Sequence, residues 1–301
     1  MEPILFGQPI SLLFLYFIIY SFLGWCMETI YCSLKEHRPV PRGFLYGPIC
    51  PIYGVGVLMM ICFFQPLMDR PVLFYVTATV CMSAWEYFVG WFLETTTHIK
   101  YWDYSDTPFN LKGRICLWVS LTWGVLSFLV LYFIHPRISG PVERIPLIPR
   151  YILDGFFLGV LTSDAAATIF QLVRTSQMLT RLQRAGEELR LQAALGRAEL
   201  TDKLSEAREN FSERLEDLLP EQLDERVGAL KTRYDEMVDR TEYVTRRFRA
   251  NYRDMKATGS RSEALESVMR RGEERKERLA QLRRERKERK AAAKAARKAA
   301  K

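Results

Sequence analysis

Three glutamates lie inside long apolar runs of the sequence, at Glu28, Glu86 and Glu94. A carboxylate in a hydrophobic segment is costly unless it faces a cavity or a partner. Such acids can bind a cation or a cationic substrate, or they can relay protons. The alternative is a buried ion pair, in which Glu28 contacts Arg42 or Lys112 and Glu94 contacts the other base. The sequence leaves both interpretations open.

Two of these acids belong to a phrase that occurs twice, FLGWCMET at 22–29 and FVGWFLET at 88–95. Each copy of the phrase is followed by a polar loop that ends with a basic residue and a glycine. A second apolar run comes next, and it contains an aromatic residue followed by a glycine. The same landmarks in the same order predict a duplicated unit of two helices. The matching positions are Gly24 and Gly90, Trp25 and Trp91, Glu28 and Glu94, Arg42 and Lys112, Gly43 and Gly113, Tyr53 and Trp123, and Gly54 and Gly124.

The apolar runs are long enough to cross a bilayer, which takes about 20 residues as a helix. They predict an all-α integral membrane protein whose membrane domain occupies 1–174. Two tandem two-helix repeats plus one further helix give five transmembrane helices. Four prolines predict an extended connector at 136–149. The five predicted spans are 10–33, 48–66, 72–99, 113–135 and 151–173.

Lysine and arginine counts in the short loops predict the orientation of the spans. The loops 34–47 and 99–114 each carry three basic residues, whereas the link at 66–71 carries one. The connector 136–150 also carries three, which argues for the opposite orientation. We expect a multi-pass protein of the cell membrane with both loops and the C-terminal region in the cytoplasm. The two repeats then share one orientation, about an axis along the membrane normal.

The C-terminal extension has a helical pattern and a charged end. An apolar seam with alternating spacings of four and three predicts coiled-coil helices over 175–258. The segment 221–249 either packs against a second seam at 200–218 as an antiparallel hairpin or pairs with a second copy of the chain in a homo-oligomer. Residues 259–301 are expected to form a charged helix and a basic low-complexity tail, which can bind anionic lipid or nucleic acid. The seam consists of Leu223, Val227, Leu230, Tyr234, Met237, Thr241, Val244 and Phe248.

The sequence contains no pattern typical of an enzyme or a cofactor protein. Its six cysteines form no CxxC pair, and its three histidines are well separated. The G-x-S-x-G, H-E-x-x-H and P-loop motifs do not occur. We therefore expect no catalytic residues, no metal and no cofactor. If transport is driven by ATP, a separate polypeptide must bind the nucleotide.

Five strings of the sequence resemble the CmpB-type permease family that is named "putative ABC-transporter type IV". They are GWCMET, RGFLYGPICPIYGVG, EYFVGWFLE, WDYSDTPFN and KGRICLWVSLTWG, and the resemblance covers roughly 10–140. It implies a permease-like subunit that lacks its own nucleotide-binding domain and works in the bilayer with a separate ATPase subunit. The family pattern does not account for the extension after about residue 174. The alternative is therefore a membrane-anchored coiled-coil scaffold that recruits cytoplasmic partners.

The repeats and the resemblance together select two sets of residues. The candidates for substrate or ion binding are Glu28, Glu86, Glu94, Arg42, Asp103 and Asn110. The expected structural motif consists of Gly24, Trp25, Gly43, Pro48, Pro51, Gly54, Gly90, Trp91, Trp102, Tyr104, Gly113, Trp123 and Gly124.

Overall fold

The computed structural model describes residues 2–37, 39, 42–209, 221–251, 256–257 and 262–299. Within these ranges, the side chains of 196–209, 221–226, 246–251, 256–257, 262, 283 and 286–299 are outside the description. The chain divides into two compact units. Unit one is Met1–Arg174 together with Phe248–Thr258, and unit two is Thr175–Arg247 together with Gly259–Lys301.

Unit one is built from long apolar helices, so the predicted all-α membrane class is confirmed. They are α1 (Ile10–Glu36), α2 (Pro51–Phe63), α3 (Pro71–Thr97), α4 (Leu117–Leu129), α5 (His135–Glu143) and the first part of α6 (Leu147–Glu209). Among the described residues, four stretches are long and apolar enough to cross a membrane: Ile10–Glu36, Pro71–Thr97, Leu117–Glu143 and Leu147–Leu195.

The second predicted span differs from the other four. Helix α2 has 13 residues and is therefore about 20 Å long, which is shorter than the hydrocarbon core. The chain before it is irregular, and its Cys50 N–H donates to the Ser21 carbonyl in the middle of α1 at 3.0 Å. Pro51 then occupies the first turn, where its missing N–H costs no hydrogen bond. The count of five spans therefore stays a prediction.

The predicted extended connector at 136–149 is wrong, because much of it is helical. A π-helical turn at Val130–Ile134 continues α4 into α5, which contains Pro141. Pro136 therefore lies inside one helical run, where its missing N–H removes a backbone hydrogen bond. The π turn directly before it changes the local winding, as is common where a helix is interrupted by proline.

The long helices of unit one pack as two hairpins around glycines. Gly54 of α2 lies so close to Phe17 and Ser21 of α1 that a Cβ would be 2.1 Å from the serine Oγ. Gly124 of α4 lies equally close to Thr79 of α3. Small residues at these crossings let the helix backbones approach closely. The hairpins share one core, which includes Leu12, Tyr16, Tyr20, Val57, Met60, Phe64, Phe74, Ala78, Met82 and Leu131.

Three two-residue strand pairs, all antiparallel, fix the ends and loops of unit one. Strand β1 (Ile4–Leu5) pairs with β2 (Gln8–Pro9), and β4 (Asn110–Leu111) pairs with β5 (Ile115–Cys116). Strand β3 (Ile99–Lys100), directly after α3, pairs with β6 (Lys256–Ala257). Strand β6 therefore pairs with the two residues that follow the end of α3 and His98.

Unit two consists of the second part of α6 with α7 (Glu221–Asn251) and α8 (Ser262–Ala299). Its apolar contacts are made by Leu179, Leu182, Val238, Ala264, Leu265 and Val268, all of which are buried. Arg271 pairs with Asp239 at 2.8 Å and Arg275 pairs with Glu242 at 3.0 Å. These pairs advance in the same direction along both helices, so α7 and α8 run parallel.

The predicted seam of α7 is partly used inside the chain. Thr241 is buried, and the Tyr234 hydroxyl donates to Ser267 of α8 at 3.1 Å. The ring of Tyr234 also packs near Gly186 of α6. Residues 210–220 and the side chains of 196–209 lie outside the described residues, so the hairpin with 200–218 stays a prediction, as does the oligomer.

Candidate functional site

Residues of the first copy of the repeated phrase, on helix α1, contact both α2 and the loop that precedes it. A Cβ on Gly24 would lie 2.3 Å from the ring of Tyr53, so only glycine fits there. The indole Nε1 of Trp25 donates to the Arg42 carbonyl at 2.5 Å, and the next residue, Gly43, has a φ of 128°. Only glycine adopts such a backbone without strain. The close approach of the loop to α1 therefore depends on the two glycines and on the Trp25 indole.

Glu28 lies one turn beyond Trp25 on α1. Its carboxylate accepts a hydrogen bond from the Cys50 Sγ at 3.6 Å, and it is within electrostatic range of the Arg42 guanidinium. At about 1.5 Å per residue, it is about 27 Å from the start of α1. Glu28 is thus in the last third of α1, beside the loop that leads into α2.

In the second copy, Glu94 forms an ion pair with Arg114. The Nε and Nη2 atoms of Arg114 both lie 2.9 Å from Glu94 Oε2, and its Nη1 donates to the Tyr87 hydroxyl at 2.9 Å. The predicted partner, Arg42 or Lys112, is wrong. Lys112 has a φ of 54° in the turn between β4 and β5 and is exposed, whereas Arg114 follows the turn and reaches α3.

The two copies share a backbone pattern but not every side chain. Gly43 and Gly113 both have positive φ. In the second copy the indole that donates to a loop carbonyl belongs to Trp102, which bonds Arg114 O at 2.9 Å and packs on Gly90. Trp91, the counterpart of Trp25, is 45 % exposed on the surface of α3. The duplication itself stays a prediction.

Glu86 is the most deeply buried of the three acids, with 5 % of its surface exposed. Its Oε2 accepts a hydrogen bond from Trp123 Nε1 at 2.9 Å, and its Oε1 accepts one from the Tyr104 hydroxyl at 3.3 Å. Both donors are neutral. Burial and the nearby Glu86 charge raise the pKa of Tyr104, so its hydroxyl keeps the proton that it donates.

An aromatic contact joins the surroundings of Glu28 and Glu86. The rings of Tyr53 and Trp123, which are counterparts in the two copies, lie 5.5 Å apart. Tyr53 is also within electrostatic range of both acids. We name the whole group the aromatic-acid cluster; its members are Glu28, Cys50, Tyr53, Glu86, Tyr104 and Trp123.

Asp103 and Asn110, two further candidates, form hydrogen bonds inside their own loop. Asp103 accepts from the Ser105 N–H at 3.1 Å and is 3.8 Å from the Lys100 ammonium group. Asn110 accepts from the Gly113 N–H at 3.0 Å and donates to the Thr107 carbonyl at 2.8 Å. These bonds shape the loop that carries Tyr104. No group of metal-ligating side chains occurs among the residues that the structure describes.

Two residues that the candidate set omitted are structurally important. Arg114 is the ion-pair partner of Glu94. It could have been found in the sequence as one of the three basic residues of the loop 99–114. Asp164 of α6 accepts hydrogen bonds from the Tyr46 and Gly47 N–H groups, both at 2.6 Å. Irregular backbone at membrane depth needs such partners. An acidic residue in the fifth apolar run was the available signal for this role.

The model of one protein family matches the chain. The family is described as "Putative ABC-transporter type IV", and the match covers residues 15–169, which is more than half of the chain. The chain belongs to this family. The match includes both copies of the repeated phrase, every member of the aromatic-acid cluster and Asp164 of α6. No curated protein and no solved structure matches the chain.

Proposed function

We propose that this family member is a permease-like membrane subunit and that a separate ATPase subunit binds the nucleotide. The family supports an ABC-transporter-related role in a membrane. The observation that carries the proposal is the aromatic-acid cluster, where Glu28 of α1 and Glu86 of α3 approach one aromatic pair. Acids inside a bundle of apolar helices mark paths for ions or polar substrates.

The proposed architecture has five spans, of which the second combines an irregular segment with the short helix α2. Discontinuous spans of this kind occur where transporters bind their substrates. The Phe44 and Tyr101 rings lie 5.7 Å apart, so the loops after α1 and after α3 are on the same side of unit one. This supports repeats of equal orientation. We place these loops and the C-terminal region in the cytoplasm.

Copurification from native membranes tests this function. The tagged full chain, extracted in mild detergent, should retain a nucleotide-binding polypeptide in a fixed ratio, and the complex should hydrolyse ATP. A substitution of the P-loop lysine in that polypeptide should abolish hydrolysis without releasing the chain. Recovery of the chain with no nucleotide-binding partner, under conditions that keep a known transporter complex intact, would refute the proposal.

A second candidate function, a membrane-anchored scaffold, is favoured by unit two. Its helices α6, α7 and α8 bury apolar residues, and ion pairs form between α7 and α8. Helix α6 begins in an apolar segment and continues into this unit. A scaffold needs only this unit and an anchor. In that case, 221–249 would serve for self-association and the basic tail would bind anionic lipid or nucleic acid.

Replacement of the membrane unit separates the two functions. A chimera in which an unrelated single membrane span precedes 175–301 should recruit the same cytoplasmic partners if the chain is a scaffold. It should lose the ATPase partner if α1–α4 form the permease-like part. We propose no enzymatic activity for the chain itself.

A further inference from the structure

We propose that Glu86 is a proton-binding site, and that the proton exchanges at Oε1 through the Tyr104 hydroxyl. This inference deepens the proposed function, since it rests on a transport role for the aromatic-acid cluster and assigns it proton coupling. It distinguishes Glu86 from Glu94, which lies two turns further along α3.

The first step of the reasoning is the difference between these two acids. Glu94 contacts the Arg114 guanidinium at 2.9 Å, so a cationic partner faces its carboxylate. Glu86 is more deeply buried and contacts only the neutral donors Trp123 and Tyr104. Among the residues that the structure describes, no base forms an ion pair with it. Glu86 is therefore a buried carboxyl group with two neutral hydrogen-bond donors and no fixed counter-charge among the described residues.

The second step excludes a metal ion as the preferred ligand. Hard cations such as Ca²⁺ take six to eight oxygen ligands. Within the described part of the chain, no group of three or more acidic, histidine or cysteine side chains is close enough to hold a metal. Of the titratable groups around it, Tyr104 contacts Glu86 directly and Tyr53 of α2 is within electrostatic range of it, while Cys116 of β5 and Glu28 of α1 are within range of Tyr104. A proton needs no such ligand set.

The third step assigns the proton to one oxygen. Trp123 Nε1 can only donate, so Glu86 Oε2 must remain an acceptor. A tyrosine hydroxyl can donate or accept, so the Tyr104 hydroxyl can rotate and accept a hydrogen bond from a protonated Oε1. The carboxylate then becomes a neutral carboxylic acid by gaining one proton. Tyr104 belongs to the loop after α3 and precedes the exposed Ser105 in sequence, so we assign the exchange with water to this loop.

Infrared difference spectroscopy tests the proposal on the purified full chain in lipid nanodiscs. Spectra at acidic pH minus spectra at alkaline pH should contain the carbonyl stretch of a protonated, buried carboxylic acid. Glu86→Gln should remove this band, whereas the matched variant Glu94→Gln should leave it unchanged. Tyr104→Phe should keep the band but shift its frequency, because the hydrogen bond at Oε1 is lost.

Three outcomes would overturn the proposal. They are a band that persists in Glu86→Gln, a band that is lost equally in Glu94→Gln, and a frequency that Tyr104→Phe leaves unchanged. The same spectra in choline, sodium and potassium chloride separate a proton site from a cation site. A midpoint that follows the sodium or potassium concentration would also overturn it. None of these measurements requires the ATPase, so its absence from copurification would leave the proton site standing.

Discussion

The ion pair between Glu94 and Arg114 gives the sharpest prediction for stability. Opposite unit charges about 4 Å apart attract by about 4 kcal/mol at an effective dielectric constant of about 20. The two side chains are 15 % and 16 % exposed, so water screens part of this attraction. Arg114 also lies over the Tyr87 ring at 5.2 Å. We expect Arg114→Ala to lower the free energy of unfolding by about 3 kcal/mol, because it leaves a carboxylate unpaired.

A double-mutant cycle isolates the pair. Glu94→Gln should also cost about 3 kcal/mol, but the double variant should cost about 2 kcal/mol less than the sum, since each single change already breaks the pair. Unfolding by a denaturing detergent in mixed micelles, followed by circular dichroism, measures these values. The matched control is Lys112→Ala with Glu94→Gln, because Lys112 is exposed and two residues from Arg114. Additivity in the Arg114 cycle, or equal coupling in the Lys112 cycle, would refute the reasoning.

Three further predictions concern topology and the extension. Impermeant thiol reagents should reach single cysteines at positions 38 and 106 only in inverted membranes; labelling of intact cells would contradict the orientation. Ile99→Cys with Ala257→Cys should form a disulfide on mild oxidation in a cysteine-free chain, because these residues are partners in the β3–β6 pair; cross-linking no better than with Lys256→Cys would argue against this pair. A peptide of 283–301 should bind anionic liposomes through its ten basic residues and dissociate in high salt; binding unaffected by salt would exclude the electrostatic mechanism.

The helices of unit one were predictable from composition, because a bilayer requires long apolar segments with internally paired backbone. The residue at which α2 begins could not be predicted in this way. The start of α2 depends on hydrogen bonds between residues far apart in sequence, such as those from the Cys50 N–H to the Ser21 carbonyl and from the Gly47 N–H to the Asp164 carboxylate. Hydropathy counts apolar residues and carries no signal for such bonds. It therefore extended the second span over residues that are irregular.

The acids of the site were predictable, whereas their partners were not. A glutamate in an apolar run is energetically costly unless it has a partner or a role, so Glu28, Glu86 and Glu94 could be selected from the sequence. The partner of Glu94 depends on the turn between β4 and β5, where a positive φ at Lys112 turns the chain so that Arg114 faces α3. Matching positions between the copies pointed to Lys112 and missed this local twist. The neutral donors of Glu86 come from α4 and a loop, which only the fold brings together.

The packing of unit one indicates how a polar species could pass through it. The half that contains the starts of α1 and α3 is mostly apolar, with Leu12, Met60 and Phe74, apart from Arg150, which contacts Ser11 and Glu2. Glu28, Glu86, Glu94 and the irregular loops lie further along these helices. Access to the aromatic-acid cluster is therefore shortest from the loop side. Under the permease-like function that we propose, passage beyond it would require the α1–α2 hairpin to move away from the α3–α4 hairpin, and the Tyr53–Trp123 contact spans that boundary. The residues nearest the acids would then lie on the interface that an alternating-access motion opens.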